Sequence, residues 1–250
     1  MTGERIDTRQ ILEVTGTDRV GFLQNLLTNN VEKLSDGLVY TALLTPQGKY
    51  LADFFLVPAP DAILIDVAAE IAPQLMKRLT MYRLRAAVQI APIDMAVTRG
   101  LGDAPDGAYP DPRHRALGWR SYGTAGAAPE TDWAALRVAH LIPETGIELV
   151  PDDSYILEMG FERLNGVDFK KGCYVGQEVT ARMKHKTTLR KGLAQVTLDG
   201  AAPPGTPITA DGKPIGTLHS VAQGKGLAYL RFDRAKGALQ AGEATLTMVN

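Results

Sequence analysis

The chain has 250 residues, 45% of them hydrophobic, with 27 basic residues set against 28 acidic ones. That supplies enough apolar material for a sizeable core, which excludes a disordered protein, and the charge balance excludes the broad positive field of a general nucleic-acid binder. The single cysteine, Cys173, excludes an internal disulfide and any site made of several thiolates from one chain.

The opening residues mix acidic and basic side chains with no apolar run behind them, so neither a secretory signal nor an Arg-rich transit peptide is expected, and a cytosolic location is. No later stretch approaches the roughly 18 apolar residues of a membrane span. Residues 11–14 read as a short strand. Thr17 or Asp18 is placed to cap a helix in which Val20, Leu23, Leu26, Leu27, Val31 and Leu34 recur at helical spacing. Residues 38–44 and 50–57 are apolar runs joined by Pro46-Gln47-Gly48-Lys49, which predicts a hairpin. A further strand is expected over 63–67, an amphipathic helix over 70–84, and a strand over 88–93.

Residues 100–130, rich in Gly, Pro and Ala, read as a long connection. Trp133, Leu136 and Val138 start a short helix, and Trp119 and Trp133 read as core or loop anchors. From residue 189 the texture changes to five short strand-like runs, with Asp211-Gly212 as a hairpin signal, which predicts a small antiparallel barrel or sandwich. The four histidines, His114, His140, His185 and His219, lack the i,i+4 spacing of a helical metal pair, and no intrinsic metal site is expected.

Residues 168–182 are unlike a core element. Gly172 and Gly176 bracket Cys173 and Tyr174, and a helix can start at Gln177, setting free N–H groups beside a thiol, a phenol, an amide and a carboxylate. Such a set suits a flat polar ring: Glu178 can accept from adjacent N–H groups while Tyr174 stacks. Lys170 and Lys171, with the helix start, favour a reactive thiol over a merely packed one. From residue 162 to 191 eight basic residues, Lys186 among them, face three acidic ones, a local field suited to the glutamate tail of a folate, an acidic partner or RNA.

Lys171-Gly172-Cys173-Tyr174-Val175-Gly176-Gln177-Glu178 resembles the K-G-C-Y-x-G-Q-E signature of the YgfZ-type folate-binding proteins, relatives of the glycine-cleavage T protein that support iron–sulfur cluster assembly or repair. The run from Asp18 to Gln24, Thr28, the turn from Leu44 to Lys49 and Asp53 after it are similar in order and spacing. The resemblance implies an α+β, T-protein-like (aminomethyltransferase-like) folate-binding body over residues 1–187 and a C-terminal antiparallel β-barrel over 188–250. It implies tetrahydrofolate or a one-carbon derivative as cofactor, Cys173 and Lys171 as the chemical pair, and Tyr174, Gln177, Glu178, Arg182 and Asp53 as folate contacts. Partners would be iron–sulfur assembly proteins or client iron–sulfur enzymes, with no membrane, no DNA and no specific RNA.

An accessory role is favoured over an enzyme. The alternative is a one-carbon transferase of the T-protein class, although that protein lacks the cysteine motif and has paired aspartates where this chain has Ala52-Asp53. A third reading is an interaction module that binds no ligand. The plain readings stand beside these: Cys173 as a small packed residue, Tyr174 as a packing aromatic, and Glu178 with Arg182 as a helical ion pair worth about 0.3–0.5 kcal/mol.

Overall fold

The computed structural model describes residues 3–185 and 188–249. Lys186 and the expected boundary at residue 187 lie outside them. The chain forms two compact units, one running up to Thr131 and resuming over Glu162–Glu178, the other made of Asp132–Phe161 and the chain from Val179 onward. The division therefore differs from a single cut near residue 187. Asp132–Phe161 goes with the barrel because barrel side chains and amides bond to it: the Gln195 amide donates to the Val138 carbonyl, the Leu193 N–H to the Glu158 carbonyl, and the Ser220 hydroxyl to the Glu148 carboxylate at 2.6 Å.

In the first unit the elements are β1 (Glu4–Arg5), β2 (Arg9–Thr15), α1 (Arg19–Gln24), β3 (Val39–Leu44), β4 (Tyr50–Ala59), β5 (Ala62–Ala68), α2 (Ala72–Arg83), β6 (Gln89–Ile93), β7 (Val97–Gly100), β8 (Tyr109–Pro110) and β9 (Trp119–Tyr122). The main sheet is antiparallel in the order β3-β4-β5-β2-β6. Side chains alternate between its faces. Val14, Phe54, Leu56 and Ile65 lie on the face that packs with Leu23 of α1 and with Leu75 and Leu79 of α2. Tyr40, Asp53, Phe55 and Asp66 fall on the other face, with Tyr40 opposite Phe55 and Phe55 opposite Asp66 in register. Both faces are covered, which is why these strands read as nearly continuous apolar runs.

The first predicted helix is cut short. It stops at Gln24, and Val31–Ser35 follows as a separate 3-10 turn, because the intervening polar side chains bind backbone in competition with a helix. The Ala42 N–H donates to the Thr28 hydroxyl at 2.9 Å, the Asn29 amide donates to the Tyr40 carbonyl at 2.8 Å, and Asn30 caps the 3-10 turn through the Glu32 N–H. Asp18 occupies the cap position of α1 but caps nothing; its carboxylate accepts from the Ala87 N–H at 2.7 Å.

Residues 100–130 are not a plain connection. They contribute β8 and β9 to a four-stranded sheet in the order β1-β7-β9-β8, anchored by buried Trp119 and Arg120. Strands of two to four residues carry too few alternations to announce themselves.

In the second unit, α3 (Trp133–Ala139) packs on the barrel strands Lys213–Ala222 and Lys225–Arg231. The helix α4 (Gln177–His185) has its first two residues in the first unit and the rest in the second. The barrel is closed in the order β10 (Lys191–Asp199), β13 (Lys225–Arg231), β12 (Lys213–Ala222), β11 (Pro207–Ala210), β14 (Leu239–Ala241) and β15 (Ala244–Met248), filled by Val196, Ile208, Leu218, Ala228, Leu230 and Leu246. It has six strands where five were expected, the missed one being three residues long. Asp211 and Gly212 both take positive φ in the β11–β12 hairpin, as an Asp-Gly turn requires. No helix among the described residues is long and apolar enough to cross a membrane.

Candidate functional site

The loop that carries Cys173 is laced to the chain that follows α1. The Asn29 amide donates to the Asn165 carbonyl and the Thr28 hydroxyl to the Gly166 carbonyl, both at 2.7 Å, and the Asp168 N–H donates to the Thr28 carbonyl at 3.0 Å. The Asp168 carboxylate accepts from the Lys170 N–H and pairs with Lys33, both at 2.8 Å. Burial alone would raise this carboxyl, but the bond and charge of Lys33 and the Lys170 amide hold it below the usual carboxylate range.

Lys171 completes the lacing. Its ammonium donates to the carbonyls of Gln24 at 2.7 Å, Leu27 at 2.5 Å and Asn29 at 3.0 Å, three acceptors for its three N–H groups. It also stands 5.3 Å from the centre of the Tyr174 ring, within cation–π range. Burial pushes the Lys171 ammonium down to about 8, with Asp168 pulling the other way. The ammonium expected to act with Cys173 is thus bonded to three backbone carbonyls at and after the end of α1. Tyr174 is only 7% exposed, with its ring against that ammonium.

Cys173 itself is exposed. Of the two glycines bracketing it, only Gly176 is required by geometry. Its φ is +82°, and a Cβ there would lie 2.5 Å from the Thr45 carbonyl oxygen in the β3–β4 turn, whereas a Cβ on Gly172 would meet nothing within 4 Å. Gly176→Ala should therefore destabilise the fold by about 1–3 kcal/mol of backbone strain, with further cost from the close approach, while Gly172→Ala should leave it unchanged. Paired urea melts test this, and equal midpoints for the two variants would refute it. Gln177 is half-buried, its side-chain amide 3.5 Å from the Gly172 carbonyl; Glu178 is exposed at the start of α4. Arg182 is exposed and belongs to the second unit.

Asp53 is buried within the first unit, accepting from the hydroxyls of Tyr50 at 2.7 Å and Tyr40 at 2.9 Å. Burial and the Asp53 charge raise the Tyr40 phenol well above its ordinary value, so Tyr40 is a donor here and not a base.

Beside it lies a polar network that sequence reasoning missed. Asp66, fully buried, accepts from Arg120 at 2.6 Å, from the Tyr122 hydroxyl at 2.9 Å and from Arg9. Asp111 forms a two-pronged pair with Arg113, and the guanidiniums of Arg120, Arg113 and Arg9 lie 4.4, 4.8 and 5.8 Å from the centre of the Phe55 ring. The one signal for it was a lone carboxylate in the apolar run Ala62–Ala68.

A T-protein-like body with a closed barrel and a lone exposed thiol on a clamped loop defines the class. The solved glycine cleavage system aminomethyltransferase T from Bartonella henselae matches 98% of this chain and 84% of its own at a TM-score of 0.62 and 12% identity, a likeness of fold alone. Residues 190–250 match the CAF17 C-terminal beta-barrel domain. The mouse protein named iron–sulfur cluster assembly factor IBA57, mitochondrial, is 30% identical over 94% of this chain and 79% of its own length; the human protein of that name is 29% identical over the same shares. The Neurospora crassa homolog is 31% identical over 83% of this chain, which spans only 56% of that relative. The chain belongs to the iron–sulfur cluster assembly factor IBA57 family.

These relatives are named as mitochondrial, which overturns the cytosolic expectation.

Proposed function

We propose that the chain is an assembly factor that takes part in building iron–sulfur clusters through Cys173, in the way suggested by the names of its IBA57 relatives and by the YgfZ-type resemblance of residues 171–178. The observation that carries this reading is the position of the thiol: exposed, on a loop whose backbone is fixed by Lys171 and Gly176. A cluster is cargo held by thiolates. One chain contributes one, and among the described residues no group of three or more His, Cys, Asp or Glu side chains is placed to hold a metal ion. The remaining donors then come from a partner, either an assembly protein handing the cluster over or a client enzyme receiving it. The test is expression in cells lacking their own IBA57: cluster-dependent enzyme activities should return, and their failure to return with the protein present and folded removes the reading.

Folate is a separate arm of the proposal. It is supported by Glu178, exposed at the helix start, and by Asp53, a buried carboxylate on the hairpin whose turn Gly176 packs against. Calorimetry should detect tetrahydrofolate, and Glu178→Ala should weaken binding by about 1.5–3 kcal/mol, the worth of a charge-assisted hydrogen bond. No heat at high micromolar folate removes this arm and leaves the cluster role standing. Turnover of an aminomethyl donor in the same solution would instead favour the one-carbon transferase.

A further inference from the structure

Helix α2 ends at Arg83, and Leu84 follows with φ +46° and ψ −103°. It is the first central residue of a turn closed by the Ala86 N–H on the Arg83 carbonyl at 2.8 Å. Type II′ turns place glycine at that position, because a side chain there is strained. Leu84 is also 88% exposed, and Met81, one turn earlier, is 67% exposed. Neither the strain nor the exposed apolar surface is offset by packing inside this chain.

Concavities lie on both sides of this turn. One, of about 600 Å³, is lined by Thr17, Asp18, Phe22, Leu26 and Tyr82 together with residues 83–86; the other, of about 560 Å³, shares Thr17 and residues 83–86 and continues along Gly16 and Gln89. Residues 72–93 contain Lys77, Arg78, Arg83 and Arg85 and no acidic residue. Asp18, the carboxylate that lines the larger groove, accepts from the Ala87 N–H and keeps its charge, so the two guanidiniums of Arg83 and Arg85 outnumber it there. Arg83 donates to the Val88 carbonyl at 3.3 Å, a neutral acceptor that does not compensate its charge.

We propose that this face docks an acidic segment of a partner protein, with an apolar side chain of that segment seated in the groove beside Leu84 and its carboxylates on Arg83 and Arg85. Charge complementarity selects an acidic partner. The concavity, sized for side chains, selects a polypeptide over a lipid surface, which would leave the groove unfilled. The surface uses none of the Cys173 loop, so it stands apart from the cluster and folate readings.

The probe is a fluorescent peptide of sequence Glu-Glu-Leu-Phe-Glu-Glu-Leu-Glu, titrated by anisotropy against the full chain, with the same peptide bearing Lys for Glu as control. Only the acidic peptide should bind. Leu84→Gly should weaken it about tenfold, close to 1.4 kcal/mol, and Arg83→Glu with Arg85→Glu should weaken it at least as much. Leu84→Gly should also melt higher than wild type, since glycine relaxes the turn, so weaker binding cannot be put down to unfolding. Cys173→Ser should bind as wild type does. Absence of peptide binding, or binding indifferent to these substitutions, overturns the proposal. So does binding to phosphatidylglycerol vesicles in place of the peptide, or self-association abolished by Leu84→Gly, which would assign the face to lipid or to a second copy.

Discussion

Cys173→Ser should abolish support of cluster-dependent enzymes while leaving the fold intact. The thiol is exposed, and the loop is held by Lys171, Asp168 and Gly176. Its replacement by a hydroxyl of similar size should change stability by no more than about 0.5 kcal/mol, as at other surface positions away from special features. A hydroxyl does not replace a thiolate as a cluster ligand, so enzyme activities in complemented cells should fall about tenfold or more. The two measurements must be made on the same variant: unfolding midpoints by urea, enzyme activities in extracts. Full activity at unchanged stability would make Cys173 a bystander, and a large loss of stability would make it a packing residue.

The largest effect on stability is expected at Asp66→Asn. The native carboxylate carries no exposed surface and balances Arg120 and Arg9, with Tyr122 donating a third bond. Removing the charge and keeping the shape leaves two guanidiniums with one buried partner fewer, a change that costs about 3–5 kcal/mol. The same group should set part of the acid sensitivity. Burial alone would raise its pKa, but Arg120 and Arg9 outweigh that and hold it at about 2 against an ordinary 3.8. A carboxyl depressed in the folded state adds stability above the unfolded value. That stability, about 2 kcal/mol, is lost as pH falls from near 4 through about 2, where the unfolded chain binds the proton more readily. Urea midpoints measured from pH 6 down to pH 2.5 should therefore fall further for wild type than for Asp66→Asn. Parallel curves would show that Asp66 does not titrate in that window.

Much of the main sheet was legible because strands buried on both faces read as nearly continuous apolar runs, as in β3 and β4, and because Pro46 and Gly48 mark the hairpin between those two. The helix after Asp18 was overread: the apolar spacing of Leu26, Leu27 and Val31 is genuine, and all three are buried, but Thr28 and Asn29 bind backbone that a helix would need. The Cys173 loop was legible as a place, since two glycines, a cysteine and lysines in sequence fit no core element. The part played by Lys171 was not. Whether its ammonium meets the thiol two residues away or three carbonyls some 140 residues away is decided by chain closure. The same holds for Asp66, whose partners Arg9, Arg120 and Tyr122 lie 54 to 57 residues off.

The lacing of residues 165–171 onto 24–29 ties the thiol to the whole span of chain between them. Closing so long a loop has an entropic cost that is recovered only once the main sheet is in place to receive it. A nascent or partly unfolded chain therefore has the cysteine but not the fixed loop that presents it. Presentation of the thiol is in this way a readout of completed folding, and a partner that recognises the loop geometry would pass over immature copies without any separate checkpoint.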